Sequence, residues 1–271
     1  MSGLGKRSSL VLVISICLIL TAASMARAEE VTGWEIAKRA WEADRGFGDF
    51  SAHITLTTTK KNGKKVIRRL RTRTIETDQG DKSISVFDYP HDVKGYARLT
   101  YAHEDGNDDQ WLYIPEFKRV KRISSVNAGT PFMGTEYAFE DLGSQRPEEV
   151  GSFSYQLLGK EACGEESSLR CYVIERRPRN PYSAYSKQVV WIDENAYRVH
   201  KIDYYNKKSE LIKTQELKDY QLFKGKYWRP GIMQMSNHKN GNSTLVEWSN
   251  YQFSNGFNAS DFTPRKLKNA R

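Results

Sequence analysis

Q-W-L-Y-I-P-E-F-K-R-V-K-R-I-S-S-V-N-A-G-T-P-F-M-G-T-E-Y-A-F-E-D-L, from Gln110 to Leu142, is the stretch whose reading decides the fold. It opens as a strand with Trp111 and Tyr113 on one face and Leu112 and Ile114 on the other. A strand apolar on both faces is expected in the middle of a sheet covered on both sides. Pro115 ends the pairing, because it has no N–H to offer a ladder. A basic segment follows, with Lys118, Arg119, Lys121 and Arg122 set around Val120 and Ile123. After a polar turn from Ser124 to Thr130 come Phe132-Met133-Gly134 and the aromatic-acidic run Tyr137, Phe139, Glu140, Asp141, Leu142.

Outward from this stretch the chain reads mostly as strands. Phe50, Ala52, Ile54 and Leu56 alternate with Ser51, His53, Thr55 and Thr57, and Asn62-Gly63 then signals a hairpin turn. The return strand puts Leu70, Thr72 and Thr74 opposite Arg69, Arg71 and Arg73, with Arg68 falling on the Leu70 side. Further strands are expected at Ser83–Tyr89, Gly95–Tyr101, Phe153–Gly159, Cys171–Arg177, Lys187–Ile192, Arg198–Tyr204, Ile212–Leu222, Lys226–Ser236 and Thr244–Phe253. Short polar turns between many strands imply a large antiparallel meander, with one face buried and one wet. Ahead of the first strand, Thr32 and Glu35 form a capping box for an amphipathic helix. It carries Trp34 and Trp41 on its apolar side and ends at Gly46.

The first 28 residues read as an export signal. Lys6 and Arg7 supply the positive start, Leu10 to Leu20 the apolar core, and Ala26-Arg27-Ala28 the small-x-small cleavage site before Glu29. The apolar run is shorter than the ~20 residues that span a bilayer. Cys17 follows Ile16, where a lipoprotein signal wants a small residue, so an unlipidated product is expected. Its 243 residues are most simply one domain, 29–271. Removing residues 1–28 takes away three basic residues and no acid, which lowers the formal charge from +9 to +6. That excess suits anionic lipid headgroups or an acidic partner surface, as well as a generally solvated basic exterior. Nucleic acid is not expected, since an exported protein seldom meets it. Cys163 and Cys171 flank a short loop and are expected to pair as a structural disulfide in an oxidising compartment.

No catalytic constellation is visible. The five histidines are scattered, with no H-E-x-x-H or G-x-S-x-G pattern, and no glycine-rich phosphate loop occurs. The acidic turn Glu104 to Asp109 lacks the EF-hand ligand order. No catalytic residue, metal site or cofactor is therefore expected, and the chain does not read as an enzyme.

Three elements of the opening stretch, in their order and spacing, resemble the longer branch of the LolA-like outer-membrane lipoprotein-sorting proteins. These are W-L-Y-x-P (Trp111–Pro115), R-V-x-R-I (Arg119–Ile123) and F-M-G-[ST]-x-[FY]-x-[FY]-E-D-L (Phe132–Leu142). The resemblance extends more loosely from the Trp34 helix to Phe262. It implies a mainly β (α+β) fold: a large curved antiparallel sheet, or half-barrel, covered by helices around an apolar cavity for acyl chains. It implies a periplasmic carrier of lipoprotein or lipid cargo, moving it toward the outer membrane with transient membrane contact. The donor would be an inner-membrane transporter of the resistance-nodulation-division class. On this reading Trp111, Tyr113, Phe132, Met133, Tyr137 and Phe139 line or gate the cavity, although each also suits an ordinary core. Arg119 and Arg122 would meet a headgroup or pin a lid, or would simply lie on the surface. Rival readings are a lipid-sensing regulator of a membrane signalling protein and a periplasmic hydrolase.

Overall fold

The computed structural model describes residues 31–103, 108–142, 151–164 and 169–270. The export signal expected at residues 1–28 and positions 104–107 of the acidic turn lie outside them. The protein is mostly β. Its strands are β1 (Asp49–Thr59), β2 (Lys65–Ile75), β3 (Lys82–Tyr89), β4 (Ala97–Tyr101), β5 (Asp109–Ile114), β6 (Arg119–Ile123) and β7 (Phe153–Ala162). The second half adds β8 (Arg170–Pro178), β9 (Tyr185–Asp193), β10 (Val199–Asn206), β11 (Leu211–Phe223), β12 (Tyr227–Asn237) and β13 (Ser243–Phe253). All thirteen form one open, curved antiparallel sheet in the order β6-β5-β4-β3-β2-β1-β13-β12-β11-β10-β9-β8-β7.

That order follows from simple local pairing plus one long-range step. Every neighbouring pair but one is consecutive in sequence and joined by a short connection. The exception is β1 with β13, where Phe50 faces Phe253 and Leu56 faces Val246. The two edges are therefore β6 and β7, which are also consecutive. The chain between them must travel the width of the sheet, and its described part, residues 124–142, runs as a strap over the concave face.

β5 is thus one strand from an edge and not central, as its apolar character had suggested. Its neighbour β6 is exposed along most of its length. The apolar character of the outward face has a different cause. Trp111, Tyr113 and Val120 pack there against a small second core of Ile84, Val86, Ala97 and Leu99, closed by Phe262 and Leu267 from the C-terminal segment. Leu267 ends the short helix α2 (Pro264–Leu267).

Helix α1 (Gly33–Ala43) starts at the expected capping box: Thr32 Oγ1 accepts from Glu35 N, and the Glu35 carboxylate accepts from Thr32 N. It stops at Asp44, short of Gly46. Its packed face is Ile36, Ala37 and Ala40, whereas Trp34 is 46% exposed. The tryptophans are therefore not the buried stripe. Ile36 and the small residues Gly33, Ala37 and Ala40 are, and α1 lies close on β7 at its start; a Cβ on Gly33 would sit 2.8 Å from the Gln156 carbonyl carbon. Lys38 and Arg45 instead stack over Trp34 and Trp41. Thr32→Ala is expected to cost about 1 kcal/mol by orphaning a first-turn N–H, read as a drop of a few degrees in the melting temperature.

Cys163 and Cys171 are bonded across the β7–β8 turn, with Cα atoms 5.8 Å apart. Closing so short a loop stabilises by ~2–3 kcal/mol in the chain-entropy account.

Candidate functional site

The concave face and the strap bound a partly open cavity of about 350 Å³. Its wall is built by alternation: every second residue of each long strand points inward. Ile54 and Leu56 come from β1, Leu70 from β2, Ile202 from β10, Leu217 from β11 and Val246 from β13. Ala40 and Ala43 of α1 close part of one side, and Phe132, Tyr137, Phe139 and Leu142 of the strap form the roof. Phe132 is the pivot of that roof. Its ring lies 5.3 Å from Phe139, edge to face, and 5.9 Å from Phe87 of β3.

The strap turns sharply at Met133 and Gly134, whose φ angles are 49° and 71°. Glycine adopts that region freely, and methionine does so at a small cost. Three acids then fasten the strap to the sheet. The Glu136 carboxylate accepts from Asn237 Nδ2 (2.7 Å) and Asn242 Nδ2 (2.8 Å), and Glu136 N donates to Thr244 Oγ1 (3.0 Å). Glu140 Oε1 accepts from Ala184 N at 2.9 Å. Asp141 Oδ2 accepts from Ala138 N (2.7 Å) and Tyr185 OH (3.0 Å), with Lys213 Nζ 3.5 Å away. Burial raises the Glu140 and Asp141 carboxyls above their usual range, although Lys213 and these hydrogen bonds pull Asp141 the other way.

The cavity is two-sided in character. Opposite the aliphatic wall, Thr72 of β2, Ser85 of β3, Arg98 and Thr100 of β4 and Gln110 of β5 make a polar one. Arg98 is 6% exposed. Its Nη1 donates to Leu142 O at 2.8 Å, and its guanidinium lies over the Phe132 ring. Burial pushes its pKa down to about 10, against the pull of Asp108, so it stays charged at neutral pH. Gln110 Nε2 donates to Phe139 O at 3.2 Å. Arg176, which donates to Gln188 Oε1, and Arg229, which pairs with Asp44, add two more interior cations.

The residues singled out in the sequence separate here. Phe132, Tyr137 and Phe139 meet at the cavity. Trp111 and Tyr113 do not reach it, because they occupy the odd positions of β5 and face the outer core. Met133 packs beside the main core without lining the cavity. Arg119 and Arg122 project from the edge strand into solvent, where Arg122 pairs with Asp109 and stacks over Trp111. Arg98, Arg176 and Arg229 had no such signal beyond being charged residues within strands. Among the described residues, no cluster of His, Cys, Asp and Glu is arranged to hold a metal ion.

A crystal structure described as an outer membrane lipoprotein-sorting protein domain from Vibrio parahaemolyticus superposes with a TM-score of 0.82 at 38% identity. The match covers 87% of this chain and 98% of that one. The chain belongs to the outer membrane lipoprotein-sorting protein domain family. A family model described as that of an uncharacterized protein matches residues 79–269. A DUF1329 family protein from Desulfovibrio piger shares the family architecture at 26% identity and TM-score 0.80, covering 87% of this chain and 97% of that one. The LolA superfamily protein NE2245 from Nitrosomonas europaea shows the same fold at 20% identity and TM-score 0.68, covering 86% of this chain and 98% of that one. No curated protein matches the chain.

Proposed function

We propose that this protein is a periplasmic carrier that shelters the acyl chains of a lipoprotein or lipid in the cavity and moves them toward the outer membrane. The observation that carries the reading is the cavity itself, about 350 Å³ with an aliphatic and aromatic wall under a fastened roof. That is room for about a dozen water-sized volumes of ~30 Å³, and a methylene is of similar size. Each buried CH₂ is worth ~0.8 kcal/mol, so a single chain of that length supplies ample affinity. The polar wall gives the cargo a direction: ester or headgroup oxygens face Arg98 and Thr100 while the tail lies along Ile54, Leu56 and Val246. Phe132, Tyr137 and Phe139 are the proposed roof contacts.

On this reading the protein is a binding protein, not an enzyme, and residues 1–28 are its export signal. A membrane transporter of the resistance-nodulation-division class is the proposed donor. Native mass spectrometry of protein purified from lysate that still contains membranes tests the central claim. Co-purifying phospholipid or acylated protein is expected. A protein that carries none, and takes up no acylated probe when offered one, is not a carrier.

A further inference from the structure

The antiparallel register sorts the strand connections onto two rims, and the rims differ in charge. One rim carries residues 60–64 (β1–β2), 90–96 (β3–β4), 115–118 (β5–β6), 179–184 (β8–β9), 207–210 (β10–β11) and 238–242 (β12–β13). These six connections hold nine Lys and Arg residues against three acids. The opposite rim's connections are 76–81, 102–108, 163–169, 194–198 and 224–226. Their described residues hold five acids against three basic residues.

Exposed apolar side chains follow the same division. Phe117 (68% exposed), Tyr182 (54%), Tyr89, Leu211 and Ile67 all lie in the basic rim's connections or within three residues of them. On the other rim the described residues show two comparable side chains, Leu222 and, three residues past the end of β6, Val126. Arg69 stacks over Tyr89 at 5.2 Å, so cation and ring are presented together.

We infer that this basic, aromatic-tipped rim is a docking surface for an anionic phospholipid bilayer. The type of cation favours lipid over a protein partner. Eight of the nine are lysine, although lysine and arginine are about equally common in the whole chain. Lysine is a mobile, strongly hydrated point charge suited to a fluid array of headgroups, whereas protein interfaces enrich arginine and deplete lysine. Each lysine near an anionic leaflet adds attraction within a Debye length of the surface. Phe117 and Tyr182, on separate turns, have the length and amphipathic or apolar tips to enter the headgroup boundary. This assignment does not depend on what the cavity holds.

Vesicle co-sedimentation of the delipidated protein tests it, using phosphatidylcholine vesicles with and without roughly one-third phosphatidylglycerol. Binding is expected only to the anionic vesicles and should weaken as salt is raised. The triple variant K61E/K118E/K239E, in three different turns, should lose at least tenfold in vesicle affinity. The control K38E/K218E/K268E, away from the rim, should lose much less. F117A/Y182A should bind several-fold more weakly in the salt concentration where charge is largely screened. All variants are checked for an unchanged melting temperature. Equal binding to neutral vesicles, equal loss in the control triple, or capture by an acidic protein surface without vesicle binding would each overturn the assignment. Acyl-probe uptake by the same lysine variants is expected to be unchanged, which separates this outcome from failure of the carrier reading.

Discussion

Leu217→Trp is expected to lower the affinity for an acyl chain by more than about tenfold while leaving the fold intact. Leu217 faces the cavity from β11, half-buried, opposite Met233 of β12. An indole in its place grows into the open volume, not into the packed core, so the overpacking cost of 1–3 kcal/mol for a filled interior should be largely avoided. It would displace about two methylenes of cargo at ~0.8 kcal/mol each, near 1.6 kcal/mol, which is more than tenfold in Kd. Titration with a fluorescent fatty-acyl probe reads the affinity, and a thermal melt reads the fold. Undiminished affinity would place the chain elsewhere. A parallel Leu112→Trp variant, on the same face of the sheet but outside the cavity lining, should bind normally.

Asp193→Ala is expected to be among the most destabilising single changes in the protein, at about 3–5 kcal/mol, or roughly 10 °C in melting temperature. The Asp193 side chain is fully buried at the β9–β10 turn. Oδ1 accepts from Asn195 N (3.0 Å) and Ala196 N (2.6 Å). Oδ2 accepts from Arg198 N (3.2 Å) and Arg198 Nε (2.7 Å), and lies 3.1 Å from His200 Nε2. Alanine would leave those donors and the Arg198 charge without a partner. The turn also supplies Ala196, Tyr197 and Arg198 to the cavity wall, so cargo binding should suffer with it.

The pH dependence gives a second readout. Burial works to raise the Asp193 carboxyl, but the hydrogen bonds from His200, Ala196 and Arg198 outweigh it and hold the pKa below the ordinary 3.8. A depressed folded-state pKa means stability that is fully present above about pH 4 and lost as pH falls through the folded value. The wild type should therefore lose stability on acidification below pH 4 more steeply than Asp193→Asn, which has no carboxylate to protonate. Parallel slopes in thermal melts across that range would remove Asp193 as the source. Asp141 has the opposite sign: burial raises its carboxyl, so its protonation on mild acidification relieves a cost of folding. Acid is therefore not expected to release the strap through this residue.

Much of the sheet was legible from local pattern. Period-two alternation bounded by turns such as Asn62-Gly63 located the strands within a few residues, and the Thr32–Glu35 spacing marked the start of α1. The strap was legible as a motif, and of its apolar residues Phe132, Tyr137 and Phe139 face the cavity whereas Met133 does not. Which face was which was not legible. Alternation divides Trp111 and Tyr113 from Leu112 and Ile114 but is silent about which side meets the cavity. The answer depended on Phe262 and Leu267, far along the chain, covering the outer face. The helix misled in a similar way. Two large tryptophans appeared to define its buried stripe, yet the helix packs by Ile36 and the small residues Gly33, Ala37 and Ala40, lying close on β7 at Gly33.

What the sequence determined by itself is the set of strands and turns, the basic balance and the strap motif, since each rests on interactions within a dozen residues. Tertiary structure alone decided that β1 would pair with β13. That single step makes β6 and β7 the two edges, sends residues 124–142 across the concave face, and brings Arg98, Arg176 and Arg229 to one interior. Those contacts join residues up to about two hundred positions apart, and no local periodicity records a pairing at such a distance.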